Sequence, residues 1–123
     1  MLALRIGTLG AAAITPGALI APADENDDVV VAAVAARDRS RAEAFAEKHG
    51  IERVYDSYDA VINDDSLDAI YNPLPISHHL EYTIKALRAG KHVLCEKSFA
   101  MNAAEAEEMA AVARETGLVL LEA

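Results

Sequence analysis

Residues 2–15, LALRIGTLGAAAIT, run from an apolar segment through one glycine and three alanines to the start of a helix. Leu2–Leu9 has the length and apolar character of a buried strand, and Gly10–Ala13 suits a tight turn. Thr15 is expected to cap a helix whose first residue is Pro16, where the missing N–H is not needed. A strand, a small-residue turn and a helix start form the arrangement that binds pyrophosphate, because it offers free N–H groups and a partial positive charge.

The dinucleotide-binding fingerprint, G-x-G-x-x-G or G-x-G-x-x-A, is matched only in part by this turn. Gly10 supplies the first glycine, whereas Ala12 takes the second position and Thr15 the third. Ala12 still has a small side chain, so the backbone can approach a phosphate. Taken alone, the turn is equally consistent with an ordinary connection between a strand and a helix.

The remainder of the chain alternates strands with helices, which predicts a parallel sheet joined by crossover helices. Further strands are expected at Val29–Ala36, Asp68–Tyr71, His92–Cys95 and Leu118–Leu121, with a short extended piece at Ile51–Tyr55. Residues 1–123 are therefore predicted to form one α/β domain, a doubly wound Rossmann sheet of about five parallel strands with helices on both faces.

Several helices carry recognisable start and stop signals. Ser40 and Glu43 fit a capping box, and Ser77 is placed to cap a later helix whose apolar face has i, i+4, i+7 spacing. The expected helices are Pro16 to about Pro22, Ser40 to Gly50, Asp56–Asn63, Ser77 to Gly90 with the apolar face Leu80, Ile84 and Leu87, and Asn102–Thr116 before Gly117.

Composition and charge exclude several classes of function. The chain has 123 residues and a formal net charge of −9, so a polyanion such as DNA or RNA would be repelled. No segment is long and apolar enough to span a membrane. The single cysteine, Cys95, forms no intrachain disulfide and fits a reducing cytoplasm. No metal site is expected, because His78, His79 and His92 have no carboxylate or cysteine at ligand spacing.

The end of the second strand indicates which cofactor the chain would bind. It lies about 25 residues after the glycine turn, where the adenosine ribose of a dinucleotide sits. NAD-selective sites place Asp or Glu here, but this chain has Ala36 followed by Arg37. An arginine without a competing carboxylate favours the 2′-phosphate of NADP, with Arg39 and Arg41 able to assist. A solvated helix start is the alternative for these arginines, and Asp38 is expected to cap the helix.

Four stretches together resemble the N-terminal domain of the Gfo/Idh/MocA family, named after glucose–fructose oxidoreductase and inositol dehydrogenase. They are LRIGTLGAAAI at 4–14, VAARD at 34–38, YNPLPISHH at 71–79 and AGKHVLCEK at 89–97. They follow in order and at the family's spacing over essentially the whole chain, and the last is the most distinctive.

The resemblance implies a set of cofactor contacts and one catalytic residue. The implied cofactor contacts are Gly10, Ala11, Ala12, Ala13, Ile14, Arg37, Leu74, Pro75, His79, Glu96 and Lys97. Lys97 is also the implied catalytic residue, since its ammonium can hydrogen-bond the substrate hydroxyl and stabilise charge during hydride transfer. Ile76 replaces the family's Asn, so one polar cofactor contact is expected to be missing. Ser98 replaces the family's Pro, and a cis peptide bond costs more before Ser than before Pro, so the family's orientation of Lys97 is not implied if it depends on such a bond.

The implied function is that of an NAD(P)-dependent oxidoreductase acting on a sugar, a polyol or a related alcohol or carbonyl, with NADP favoured over NAD. In this family a C-terminal α/β domain supplies the substrate pocket. We therefore expect the chain to be part of a longer enzyme, inactive by itself and prone to self-associate through apolar surface that the second domain would cover. A non-catalytic, stand-alone dinucleotide-binding module is the alternative.

Overall fold

A computed structural model describes residues 2–123, which form a six-stranded parallel sheet flanked by helices. The strand order is β3-β2-β1-β4-β5-β6, and every neighbouring pair is parallel. The strands are β1 Leu4–Leu9, β2 Val29–Ala35, β3 Arg53–Tyr55, β4 Ala69–Asn72, β5 His92–Cys95 and β6 Leu120–Glu122. The doubly wound prediction is confirmed, and the sixth strand comes from the extended piece at Ile51–Tyr55, which pairs with β2.

Five α-helices connect these strands: α1 Ala21–Asp24, α2 Arg39–His49, α3 Tyr58–Ile62, α4 His79–Arg88 and α5 Ala103–Thr116. A π-helical segment, Pro16–Ile20, leads into α1, and a 3-10 turn, Ile76–His78, leads into α4. No helix within residues 2–123 has the length and apolar character needed to cross a membrane.

Helices lie on both faces of the sheet, and each face has its own core. Along β4, Ile70 and Tyr71 enter different clusters of buried side chains, as alternation along a strand requires. The Ile70 cluster includes residues of α3, α4 and α5, whereas the Tyr71 cluster takes its helical residues from the segment before α1 and from α2. Gly7 lets β1 pack tightly on the first cluster, because a Cβ there would lie 2.5 Å from Val61 Cγ1.

Three of the predicted helix caps are wrong. Asp38 caps α2, since its carboxylate accepts a hydrogen bond from the Ser40 N–H at 2.9 Å, while Glu43 pairs with Arg39 instead of closing a capping box. The Thr15 hydroxyl is buried without a partner, and Ser77 lies inside the 3-10 turn and makes no capping bond. The prediction that Asp38 caps α2 is confirmed.

Candidate cofactor-binding site

The carboxyl ends of β1, β2 and β4 surround a cleft of about 190 Å³. Its walls include the turn after β1, Ala36 and Arg37 after β2, and Pro73–Pro75 after β4. A second hollow of about 350 Å³ shares Arg37, Leu74 and Pro75 with the cleft and extends to His78. In a parallel sheet, ligands bind at the carboxyl ends of the strands, at the point where the strand order reverses.

The turn after β1 combines a glycine of positive φ with backbone N–H groups that have no acceptor within residues 2–123. Gly10 has φ +79°, a left-handed conformation that favours glycine, and its N–H donates to the Ala35 carbonyl at 2.6 Å. A Cβ added to Gly10 would lie 3.4 Å from Leu74 Cδ2, so a larger residue would narrow the cleft. Within residues 2–123, none of the four N–H groups of Ala11–Ile14 donates a hydrogen bond. Successive free N–H groups of this kind can receive an anion.

The three arginines after β2 have different surroundings. Arg39 is held by Glu43 and Asp56, so it does not extend into the cleft. Arg37 and Arg41 line the cleft, and neither joins an ion pair in the described part of the chain. The structure therefore places Arg37 and Arg41 in one cleft with Ala11 and Ala12, whereas Ala13, Ile14 and Arg39 are not among the residues that line it.

Two tyrosines that the sequence analysis did not single out form part of the hollow beside Arg37. Tyr58 lines both the cleft and the hollow, and its ring meets that of Tyr82 edge-to-face at 5.2 Å between centroids. Burial raises the pKa of the Tyr58 phenol, and the nearby Arg37 and Arg41 oppose that shift. Tyr58 begins α3 and Tyr82 lies in α4, so only the packing of α3 on α4 brings them together.

The end of β5 places Glu96 and Lys97 in different surroundings. The Tyr71 hydroxyl donates to Glu96 Oε2 at 2.6 Å, and burial together with this carboxylate raises the pKa of Tyr71. Lys97 is exposed, and its ammonium makes no hydrogen bond or ion pair with any residue the structure describes. The peptide bond between Lys97 and Ser98 is cis.

His79 differs from the other implied cofactor contacts, because its ring lies in the protein interior. The side chain is 1% exposed, and its two ring nitrogens lie 2.6 Å from the Leu74 carbonyl oxygen and 3.1 Å from that of Phe99. Asn72, a residue that the sequence analysis missed, is also fully buried next to the same loop. Among residues 2–123, no group of three His, Cys, Asp or Glu side chains is arranged to hold a metal ion.

The chain is similar to a known family and to several characterised proteins. A family model described as "Oxidoreductase family, NAD-binding Rossmann fold" matches residues 4–123. The dTDP-3,4-didehydro-2,6-dideoxy-alpha-D-glucose 3-reductase of Actinomadura kijaniata is 41% identical over 97% of this chain and 36% of its own length. The D-xylose 1-dehydrogenase (NADP(+)) 2 of Haloferax volcanii is 40% identical over 98% of this chain and 37% of its own length.

A solved structure gives the same picture. A 3-ketoreductase from Actinomadura kijaniata, crystallised with NADP and TDP-benzene, superposes with a TM-score of 0.91 at 40% identity, over 98% of this chain and 37% of that one. The chain thus spans little more than a third of the length of the relatives it matches. It belongs to the Gfo/Idh/MocA oxidoreductase family and forms that family's NAD-binding Rossmann domain.

Proposed function

We propose that residues 1–123 are the cofactor-binding domain of a longer NADP-dependent oxidoreductase, which transfers hydride between the nicotinamide and a sugar, polyol or related alcohol or carbonyl. The observation that carries this proposal is that Arg37 and Arg41, which have no ion pair within residues 2–123, line the same cleft as Ala11 and Ala12, the first two of the four residues whose N–H groups are free there. Nothing in the described fold or in the relatives above favours a non-catalytic module.

The turn after β1 would hold the pyrophosphate. The N–H groups of Ala11–Ile14 have no partner in the fold, so they can donate to phosphate oxygens without breaking an existing bond. Gly10 keeps the turn close to Leu74 because it has no side chain. Pro75, next to Leu74, would flank the cofactor on the β4 side of the cleft.

Arg37 and Arg41 would select the 2′-phosphate of NADP over the free ribose hydroxyl of NAD. A guanidinium donates two parallel hydrogen bonds to a phosphate, which neither Lys nor a neutral side chain can do. Asp38, which follows Arg37 in the chain, caps α2 and forms no ion pair with Arg37 or Arg41 within residues 2–123. Hydrogen bonds from Ser40 lower the pKa of Asp38 and keep that carboxylate in the cap, and Arg41 lies close enough to lower the pKa as well.

The hollow beside Arg37 would receive the adenine ring. It is bounded by Tyr58, Tyr82 and Pro75, which offer flat apolar surfaces to a planar base. The hollow adjoins the cleft through Arg37, so an adenine there lies next to the group that would hold the 2′-phosphate.

Glu96 and Lys97 would serve the nicotinamide end, where the bound cofactor supplies or accepts the hydride. Glu96 is fixed by Tyr71, which leaves its second carboxylate oxygen to accept a hydrogen bond from the cofactor. Lys97 is unpaired and exposed, so its ammonium can donate to the substrate oxygen and stabilise the charge that develops there.

The first test is direct titration of the 123-residue chain with NADPH and with NADH, followed by nicotinamide fluorescence. We expect NADPH to bind more tightly than NADH. Equal affinity for both would refute the proposed NADP preference, and no binding of either would refute the proposed site.

The catalytic part of the proposal requires the complete enzyme, in which a second domain follows this one. With NADPH or NADP and a panel of sugars and diols, Lys97→Ala is expected to abolish turnover while leaving the cofactor Kd nearly unchanged. Lys91→Ala is not a suitable control, because Lys91 is 4% exposed and bonded to the Asp64 carbonyl, whereas the exposed Lys48 on α2 provides one. Full turnover in Lys97→Ala would contradict the assignment.

Self-association of the 123-residue chain is a further part of the proposal. Leu121 is 58% exposed on β6, an edge strand, and Val119 beside it is 51% exposed. Apolar side chains on an open strand edge favour pairing with another molecule. Sedimentation velocity is expected to show a dimer or larger species, and a clean monomer at tens of micromolar would count against it.

A cytoplasmic location completes the proposal. Cys95 is a buried free thiol, which suits a reducing compartment without requiring one. Fractionation of cells that express the full-length protein would test it, and recovery in the secreted fraction would refute it.

A further inference from the structure

A group of buried polar side chains lies beneath both the cofactor cleft and the segment that carries Lys97. Asn72, at the end of β4, and Thr83, in α4, are completely buried, and His79, at the start of α4, is 1% exposed. The Asn72 amide donates to the Thr83 hydroxyl at 3.1 Å. Buried polar side chains are costly unless they are hydrogen-bonded, so the contacts of this group show what it holds in place.

The first set of contacts fixes Leu74, a wall of the cleft. Its N–H donates to Asn72 Oδ1 at 3.2 Å, and its carbonyl oxygen lies 2.6 Å from His79 Nε2. Leu74 lies between two prolines, Pro73 and Pro75, so its N–H is the only main-chain donor in that wall. Because Leu74 Cδ2 is 3.4 Å from the Cβ position of Gly10, any shift of Leu74 changes the gap at the phosphate turn.

The second set of contacts fixes the segment that carries Lys97. The Asn72 carbonyl accepts a hydrogen bond from the Glu96 N–H at 3.0 Å, on one side of the lysine. On the other side, the Phe99 carbonyl oxygen lies 3.1 Å from His79 Nδ1. Lys97 and Ser98 are exposed between these two attachments.

We propose that His79, together with Asn72, is a positioning residue that acts through Leu74 on the cofactor cleft and through Phe99 on the Lys97 segment. This inference rests on the proposed cofactor site, and it replaces the direct cofactor contact expected for His79 from the sequence. A carbonyl oxygen only accepts hydrogen bonds, so whichever ring nitrogen carries a proton donates to its carbonyl.

Substitutions of His79 can separate the two attachments. His79→Gln keeps an amide donor near the position of Nε2, facing Leu74, whereas His79→Asn keeps one near Nδ1, facing Phe99. His79→Phe keeps the approximate ring volume and removes both ring nitrogens, so it cannot donate to either carbonyl. The readouts are the Kd for NADPH and the hydrogen exchange of two regions, the Leu74 amide and residues 96–101.

In His79→Phe we expect the Kd for NADPH to rise about three- to tenfold, the equivalent of one neutral hydrogen bond, with faster exchange in both regions. His79→Gln is expected to restore the Kd and the Leu74 protection, but not that of residues 96–101. His79→Asn is expected to restore only residues 96–101. An unchanged Kd in folded His79→Phe, or the same behaviour in the Gln and Asn variants, would overturn the proposal.

Loss of stability alone is controlled with Ile51→Ala, which creates a cavity in the other core, on the far face of the sheet. At a temperature where all variants are folded, this control is expected to bind NADPH like the wild type. If Ile51→Ala weakens NADPH binding as much as His79→Phe does, the positioning role is refuted. If the wild type itself does not bind NADPH, the cofactor site fails, while the exchange data still test the two attachments.

Discussion

Charged side chains at the amino ends of the strands and at their carboxyl ends have opposite surroundings. At the amino ends of β4 and β5, the Asp64 carboxylate accepts hydrogen bonds from Arg53, Tyr55 and Ser66, and the Lys91 ammonium donates to the Asp64 carbonyl. At the carboxyl ends of the strands, Arg37, Arg41 and Lys97 have no ion pair with any residue from 2 to 123. The charges around Asp64 are paired with one another, whereas these three cations are unpaired in the described part of the chain, as the proposed ligand site requires.

The largest effect on stability is expected at the amino ends of the strands, where the charged groups are paired. Asp64→Ala removes a carboxylate that is 5% exposed and leaves the partly buried Arg53 and Tyr55 without their acceptor. We expect the free energy of unfolding to fall by about 2–4 kcal/mol. Chemical denaturation measures this, and the exposed neighbour Asp65→Ala is the matched control, expected to change stability little. A small effect of Asp64→Ala would show that these paired charges contribute no more to the free energy of unfolding than ordinary surface residues do.

The same carboxylate predicts how stability depends on pH. Burial tends to raise the pKa of Asp64, but hydrogen bonds from Tyr55, Ser66 and Arg53 outweigh it and hold the pKa well below the usual range. A folded-state pKa below the unfolded value gives stability that is present above about pH 4 and is lost as the pH falls further. Denaturation curves between neutral and acid pH are expected to show a smaller loss in Asp64→Asn than in the wild type. Parallel curves would contradict the depressed pKa.

Two glycines, Gly10 in the cleft and Gly17 in the π-helical segment, are expected to respond in opposite directions to the same substitution. Gly10→Ala is expected to lower the free energy of unfolding by about 1–2 kcal/mol, because its φ is +79°. It should also weaken NADPH binding, since the new Cβ lies 3.4 Å from Leu74. Gly17 is helical with nothing within 4 Å of a Cβ, so Gly17→Ala is expected to gain about 0.4–1 kcal/mol. Equal losses at both positions would contradict a special role for Gly10.

Most of the fold could be predicted from the sequence, because apolar runs of strand length and stop signals such as Gly50 and Gly117 are local. Both of these glycines do end helices in the left-handed conformation. The caps were harder, since Asp38 and Ser40 are both good cap residues and the choice depends on where the backbone leaves the extended region. The third strand was indistinct because only three residues, Arg53–Tyr55, pair with β2.

Sequence reasoning selected cleft residues where the chain itself carries the pattern, as in the turn after β1 and at Arg37, and their role in binding stays a prediction. It was missed where residues far apart in sequence meet. Tyr58 and Tyr82 come together through helix packing, and Asn72 reaches Thr83 across the interior. The difference between Arg37 and Arg39 also depends on tertiary structure, because only the fold brings Asp56 to Arg39.

That difference gives the most direct test of the account, since Arg37 and Arg39 are exposed residues of the same type two positions apart. We expect Arg37→Ala to weaken NADPH binding to the 123-residue chain by about 1.5–3 kcal/mol and to leave NADH binding nearly unchanged. Arg39→Ala, which loses only pairs with Glu43 and Asp56, is expected to bind both cofactors like the wild type. Equal loss of NADPH and NADH affinity in Arg37→Ala, or the same loss in Arg39→Ala, would contradict the proposal that Arg37 binds the 2′-phosphate.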